Sequence, residues 1–384
     1  MIYFDNSATS YPKPPCVKKA VEYAYNHYFA NSGRGSSKDT LLSAKSLYDA
    51  RTSISDLVGT IPENVIFTYN ATYALNMAIR GVVKKGMTVA LERFAHNSVL
   101  RPLYALEKEG VTLEFLDTSL ERDSVMISCF ERLVRDKKID VLVLTHTSNV
   151  TGKTLPVKRL SRVCREFGII LILDASQSIG SIQVDMKELG VDVLASSGHK
   201  GLYGIMGSGF LAISENFKGE ITPLITGGSG MFSKEKEMPP FMPEHLEGGT
   251  VSTISAASMK AGADFIRKIG VEEIGDRERR LRQRILEGMS VIPKVKIYNS
   301  SVNAHSILLF NLSTLSPENL ANVLDKNGIE GRAGFHCAPL VHELLKKGDE
   351  KYEGAMRLSV GYFNTEKECD KLIAVLNKIS REQN

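Results

Sequence analysis

D-V-L-A-S-S-G-H-K-G, Asp192–Gly201, is the stretch on which the reading of the fold turns. An apolar run, Val193 to Ala195, stops at Ser196, Ser197 and Gly198, and His199 and Lys200 follow. A short buried strand ending in small polar residues delivers the next side chains to the carboxyl edge of a sheet, where open α/β folds hold ligands. Lys200 is there either a solvated loop lysine or a desolvated amine able to form a Schiff base with an aldehyde.

Two further strands are written the same way. D-V-L-V-L-T, Asp140–Thr145, is continuously apolar, as a strand covered on both faces must be, and it ends in H-T-S-N, His146–Asn149. After a helix over Val157–Phe167, I-I-L-I-L-D-A-S-Q places Asp174 and Gln177 at a second strand end. Three parallel strands thus bring Asn149, Asp174 with Gln177, and His199 with Lys200 to one edge. A carboxylate at a buried strand end needs a cationic partner. For Asp174 the candidates are Lys200 and a protonated ring nitrogen of a ligand.

Before this core the chain reads as an arm, D-N-S-A-T-S (Asp5–Ser10), and then helices over about Pro15–Ala30 and Ser37–Val58. Arg34, between two glycines, is a turn residue or an anion contact. A strand over Asn64–Thr68 leads into N-A-T-Y-A-L-N, so Ala71 and Thr72 sit at a helix N-terminus. That end is an anion site, unless Thr72 is only its cap. Strands are expected over Met87–Leu91 and Val111–Leu116. His96, before the intervening helix, is a cap, a packed ring or a catalytic group. Another helix covers Val125–Asp136. Gly204–Ile213 is Gly-rich but precedes a strand, so it is no dinucleotide fingerprint. Thr226–Pro243 reads as a surface loop. A long helix starts near Ser255, and beyond about Ala263 helices over Val271–Met289 and Thr365–Arg381 alternate with strands over Lys294–Tyr298, Ser306–Leu312 and Met356–Val360. This is a smaller α+β unit. In it, G-R-A-G-F-H-C-A-P (Gly331–Pro339) sets Cys337 just before a helix, as an activated thiol or a small hydrophobe.

Composition narrows the classes. The 384 residues are 43% apolar and 24% charged, with net charge +4 and no basic run interleaved with aromatics. That is a soluble globular balance with no case for nucleic acid. No apolar run is long enough to span a membrane, and M-I-Y-F-D-N has no signal-peptide regions. Five scattered cysteines without a C-x-x-C pair argue against a disulfide framework or a metal site, and favour a reducing cytoplasm.

Read together, L-D-A-S-Q-S, S-S-G-H-K and R-A-G-F-H-C-A-P, in this order, resemble the class V aminotransferase group of fold-type I pyridoxal phosphate (PLP) enzymes. Within it the chain is similar to the cysteine desulfurases, in the SufS-like branch that includes the selenocysteine lyases. The resemblance runs from Y-F-D-N-S-A-T to R-L-S-V-G-Y-F-N-T. It implies an α/β protein of the PLP-dependent transferase fold type I. An N-terminal arm (1–13) would pack with the small domain. A large domain (14–256) would hold a mainly parallel seven-stranded sheet, and a smaller α+β C-terminal domain (257–384) would carry the cysteine loop. Lys200 would bind PLP covalently, Asp174 would pair with its ring nitrogen, Gln177 would bond its phenolic oxygen, and His96 would stack on it and move protons. Ala71, Thr72, Ser197 and His199 would hold the phosphate, with Thr250 reaching the site of a neighbouring subunit in a homodimer. Asn149 would also border the cofactor. Asn149 and Arg357 would take the substrate carboxylate, with Arg332 nearby. Cys337 would accept sulfur from L-cysteine as a persulfide, leaving L-alanine, and pass it to an acceptor protein, as in iron–sulfur cluster assembly. Phe335 departs from the branch, which usually has histidine there, and the insertions around the cysteine loop are short. Alternatives are a selenocysteine lyase or another class V aminotransferase or lyase that does not need Cys337, and a non-catalytic sulfur-carrier scaffold.

Overall fold

The structure is a computed structural model that describes every residue except 34, 301–303, 347–351 and 383–384. Arg34 therefore lies outside the described residues. The chain opens with a two-residue strand β1 (Ile2–Tyr3), then α1 (Pro15–His27) and α2 (Lys38–Val58), the latter capped by the Ser37 hydroxyl on the Thr40 amide. The first helix stops three residues short of the expected Ala30, because Tyr28 leaves helical geometry (ψ 46°). There follow β2 (Val65–Thr68), α3 (Ala71–Val82), β3 (Thr88–Leu91), α4 (Asn97–Glu107), β4 (Thr112–Phe115), α5 (Asp123–Asp136), β5 (Val141–Thr145), α6 (Val157–Phe167) and β6 (Ile170–Asp174). The short α7 (Met186–Leu189) then leads to β7 (Val193–Ser197) and β8 (Gly209–Ile213).

These strands form one seven-stranded sheet in the order β2-β8-β7-β6-β5-β3-β4, in which β8 alone runs antiparallel to its neighbours. The continuous apolar runs are explained by alternation. Val141 and Val143 point into one core with α3 and α4, while Leu142 and Leu144 point into the other with α5 and α6. Ile172 against Leu171 and Leu173, and Val193 against Leu194, repeat the pattern. Both faces are dry, so no position on these strands is free to be polar until the strand ends.

The C-terminal part comprises α8 (Thr253–Ile269), α9 (Val271–Ser290), β9 (Val295–Ile297), β10 (Ile307–Leu312), α10 (Pro317–Lys326), β11 (Ile329–Glu330), β12 (Arg332–Gly334), α11 (Pro339–Lys346), β13 (Ala355–Ser359) and α12 (Glu366–Glu382). An antiparallel sheet, β12-β13-β10-β9, packs its Leu308, Phe310, Met356 and Leu358 against Leu281, Ile285, Leu372 and Leu376 of α9 and α12. The expected division at 256/257 falls inside α8, which runs unbroken and lies against α1 and α2 of the N-terminal part. β1 pairs in parallel with β11.

Candidate active site

The carboxyl ends of β5, β6 and β7 open into a cavity lined by Asn70, Ala71, Thr72, His96, Ser98, Thr145, Asn149, Asp174, Gln177, Ser197, His199 and Lys200. Two glycines bring the strand-end turns together. A Cβ on Gly201 would stand 2.0 Å from the Ile179 carbonyl, and one on Gly180, whose φ is +95°, 2.2 Å from the Gly201 carbonyl. Only bare backbones fit this approach.

α3 points its amino end at the cavity. Its cap is Asn70, whose Oδ1 accepts from the Tyr73 amide at 2.9 Å. Thr72 is therefore not the cap, and its hydroxyl faces Ser98 Oγ at 2.7 Å. His96 caps α4, Nδ1 accepting from the Ser98 amide at 3.0 Å, while lining the cavity. With Nδ1 occupied, its proton sits on Nε2. Burial, with Lys200 adding to it, lowers His96 to about 4, so the ring is neutral near pH 7.

Lys200 is half-buried and its ammonium is lowered to about 8, first by desolvation; the charge of Asp174 opposes this, and Arg357 and Arg332 add to it. His199 is lowered to about 4, again mainly by burial. Asp174 Oδ1 accepts from the amide and hydroxyl of Ser176 at 3.0 and 2.5 Å. Gln177 Nε2 donates to the Ser7 carbonyl at 2.9 Å.

The second half of the site comes from the C-terminal part. Arg357, 1% exposed, donates Nη1 to the Asn149 carbonyl at 2.9 Å and Nη2 to Asp5 Oδ1 at 2.5 Å. The expected carboxylate ligand thus already holds a carboxylate of its own chain. Asn149 Nδ2 donates to the His336 carbonyl at 2.7 Å, and the Asn97 amide to the Cys337 carbonyl at 2.7 Å. These bonds fix His336 and Cys337, both at left-handed φ (52° and 59°), a conformation that costs a non-glycine residue about 1–2 kcal/mol. Cys337 is exposed, and Arg332 Nη2 approaches its Sγ at 3.6 Å. Neither Cys337 nor Arg332 lines the Lys200 cavity. Thr250 lies outside it too, with its hydroxyl 3.4 Å from Asn31 Nδ2.

Sequence reading expected the arm but not its bonds to the Lys200 turn. Thr9 Oγ1 and Lys13 Nζ donate to the His199 carbonyl, and Ser10 Oγ to that of Lys200. It also missed Glu92, 0% exposed, which accepts from the Thr145 amide at 3.0 Å and from that of Phe94, ties β3 to β5, and is raised to about 7 by burial. A lone acidic residue directly after an apolar strand was the available signal. Among the described residues no group of three or more His, Cys, Asp or Glu side chains stands ready to hold a metal ion, and no helix is long and apolar enough to cross a membrane.

A mainly parallel sheet with helices on both faces thus presents a lysine, a carboxylate and a helix amino terminus at its strand ends, an arrangement of the class V aminotransferase fold. A family model described as aminotransferase class-V matches residues 2–372, so the chain belongs to the class-V aminotransferase family. It is 30% identical to a probable cysteine desulfurase of Methanothermobacter thermautotrophicus, over 99% of this chain and 94% of that one. It is 31% identical to a probable cysteine desulfurase of Pyrococcus abyssi, again over 99% and 94%. The solved apo structure of a cysteine desulfurase from Thermococcus onnurineus superposes with a TM-score of 0.90 at 30% identity, covering 99% of this chain and 95% of that one.

Proposed function

We propose that the protein is a PLP-dependent cysteine desulfurase, a sulfurtransferase that moves sulfur from L-cysteine onto Cys337 and releases L-alanine. The observation that carries the reading is the meeting of the Lys200 cavity with the Cys337 turn through Asn149, whose backbone holds Arg357 and whose side chain holds the turn.

The residues fit the cofactor. Asn149 Oδ1, Ser197 Oγ and His199 Nδ1 are buried without a protein partner among the described residues, and Ser197, His199, Thr72 and the amino end of α3, from Ala71, converge as an anion cradle. Asp174 supplies a carboxylate to a protonated ring nitrogen, His96 a neutral ring to stack on, Gln177 a donor and Lys200 the amine. When bound, PLP supplies an electron sink that accommodates the charge developing on the substrate carbon skeleton.

The chain does the rest. Lys200, with its pKa near 8, is partly neutral at working pH, so Nζ can take a proton from substrate and return one. Arg357, beside Asn149, orients the substrate carboxylate through Nε, which has no partner among the described residues, or by giving up Asp5 at Nη2. Cys337 Sγ, as thiolate, attacks the sulfur of L-cysteine: an S–S bond forms and the Cβ–S bond breaks. The electron pair stays with carbon, which takes a proton and becomes the methyl of L-alanine. The enzyme sulfur is oxidised to a persulfide and the substrate carbon is reduced, so no outside oxidant is needed. Exposure of Cys337 suits delivery to an acceptor thiol, in a reducing compartment such as the cytoplasm. Thr250, exposed and apart from its own chain's cavity, suits service to the neighbouring subunit of a homodimer.

The test compares wild type with Cys337→Ala for visible spectrum and for sulfide and alanine released from L-cysteine with a reductant. Both should be yellow, and only wild type should form the two products in equal amounts. A yellow Cys337→Ala that keeps full turnover would move the reaction to a lyase that does not use this thiol. Colourless protein after added PLP overturns the cofactor assignment.

A further inference from the structure

Behind the Cys337 turn lies a buried row of side chains that the proposed reaction does not use. His336 and His342 are 3% and 1% exposed, their rings stacked at 5.4 Å, and Phe335 sits edge-on to His342 at 5.2 Å. His336 Nε2 is 3.1 Å from the Arg332 carbonyl, His336 Nδ1 is 3.3 Å from His342 Nε2, and His342 Nδ1 is 2.6 Å from Tyr352 Oη.

The protons in this row have one arrangement. A carbonyl only accepts, so His336 Nε2 carries the hydrogen it gives to Arg332. Its Nδ1 is then a lone pair and must receive from His342 Nε2; the Phe335 backbone also bonds the His342 ring. That leaves His342 Nδ1 as an acceptor, and Tyr352 as its donor. With both rings neutral, the direction runs Tyr352, His342, His336, Arg332 carbonyl. Burial agrees, lowering His336 to about 2 and His342 to about 4.

We propose that His342, backed by Tyr352, is a positioning residue for Cys337, holding through this one-way row the left-handed turn that sets where Cys337 Sγ stands. The proposal rests on the reading of Cys337 as the sulfur acceptor. The turn begins at Arg332, whose carbonyl ends the row and whose guanidinium touches Cys337 Sγ, and it includes both left-handed residues. His336 is held twice, by its ring through His342 and by its carbonyl through Asn149. The row therefore spans from α11 to the wall of the Lys200 cavity without touching substrate or cofactor.

The test uses the full-length holoenzyme with His342→Phe, His342→Gln and Tyr352→Phe. Phenylalanine keeps an aromatic ring but neither donates nor accepts. Glutamine restores one donor and one acceptor. The readouts are kcat and KM for sulfide release, and the rate at which iodoacetamide alkylates Cys337, followed on its own peptide by mass spectrometry. His342→Phe should lower kcat about 10- to 100-fold, as misplacement of a reacting group does, with KM little changed. Its alkylation rate should also depart from wild type, and His342→Gln should recover both. Tyr352→Phe, the loss of one hydroxyl from a half-buried ring, should move both readouts the same way, and it serves if His342→Phe does not fold. Wild-type values in His342→Phe or Tyr352→Phe overturn the proposal, as does a Gln variant that falls as far as the Phe variant. If even wild type releases no sulfide from L-cysteine, the desulfurase reading fails, while alkylation still decides the role of His342.

Discussion

Replacing Lys200 by methionine should stabilise the apo-protein. The structure lowers this ammonium from 10.5 to about 8, chiefly by burial. Each pKa unit is worth about 1.36 kcal/mol between the protonation states, so the charged form is disfavoured in the fold by about 3 kcal/mol, as an upper bound. Below pH 8 folded and unfolded chains both carry the proton and the penalty is present in full. Between pH 8 and 10.5 the folded chain has released it while the unfolded chain has not, so stability rises with pH. Above 10.5 the penalty is gone. Urea unfolding of cofactor-free wild type and Lys200→Met should therefore differ by up to about 3 kcal/mol near pH 7, with the variant more stable, and the gap should shrink to under about 1 kcal/mol near pH 10. Any packing difference between the two side chains is constant with pH, so the narrowing isolates the charge. A gap that is absent near pH 7, or equal at both pH values, refutes the reasoning.

Asp5→Asn leaves the 1%-exposed Arg357 guanidinium without its carboxylate, which should cost about 3–5 kcal/mol in thermal unfolding; the neutral pair Asp5→Asn/Arg357→Met should lose less than the single change. Gly201→Ala drives a Cβ into the Ile179 carbonyl, and should displace the Lys200 turn and abolish the visible absorption of added PLP. Five histidines, His96, His146, His199, His336 and His342, have folded pKa values held below 6.5 by burial. The unfolded chain binds protons before the folded one does, so stability measured in urea should fall steadily as pH drops below about 6.5.

What could be read in the sequence follows from what is local. The runs of β5, β6 and β7 were legible because a strand buried on both faces is apolar at every position, whichever core each residue enters. Asn149, Asp174 and Lys200 stood out because they interrupt those runs at their ends. α10 escaped, although Ser316 and Pro317 are a cap and a first-turn proline, because its ten residues bury little beyond Leu320 and Leu324. β1, β11 and β12 are two or three residues long, too short to show a period.

The arm itself was read from the sequence, but its bonds were illegible for a different reason: their partners are distant in sequence. Asp5 meets Arg357, Asn6 and Ser7 meet Ser359, the Ser7 carbonyl receives Gln177, and Thr9, Ser10 and Lys13 hold the carbonyls of His199 and Lys200. One short segment of turns and bends thus bonds to the strand that carries Arg357 and to the turn that carries Lys200. In D-N-S-A-T-S the short side chains of Asn6, Thr9 and Ser10 bond backbone carbonyls and that of Asp5 bonds Arg357, and no helical or strand period can encode those bonds. The distance between Arg357 and Lys200 is set across two sheets, and this segment is bonded to both. Movement of the C-terminal part against the large sheet must therefore either carry the arm along or break the Asp5–Arg357 pair. That makes the first ten residues part of the candidate site as much as the strand ends they touch.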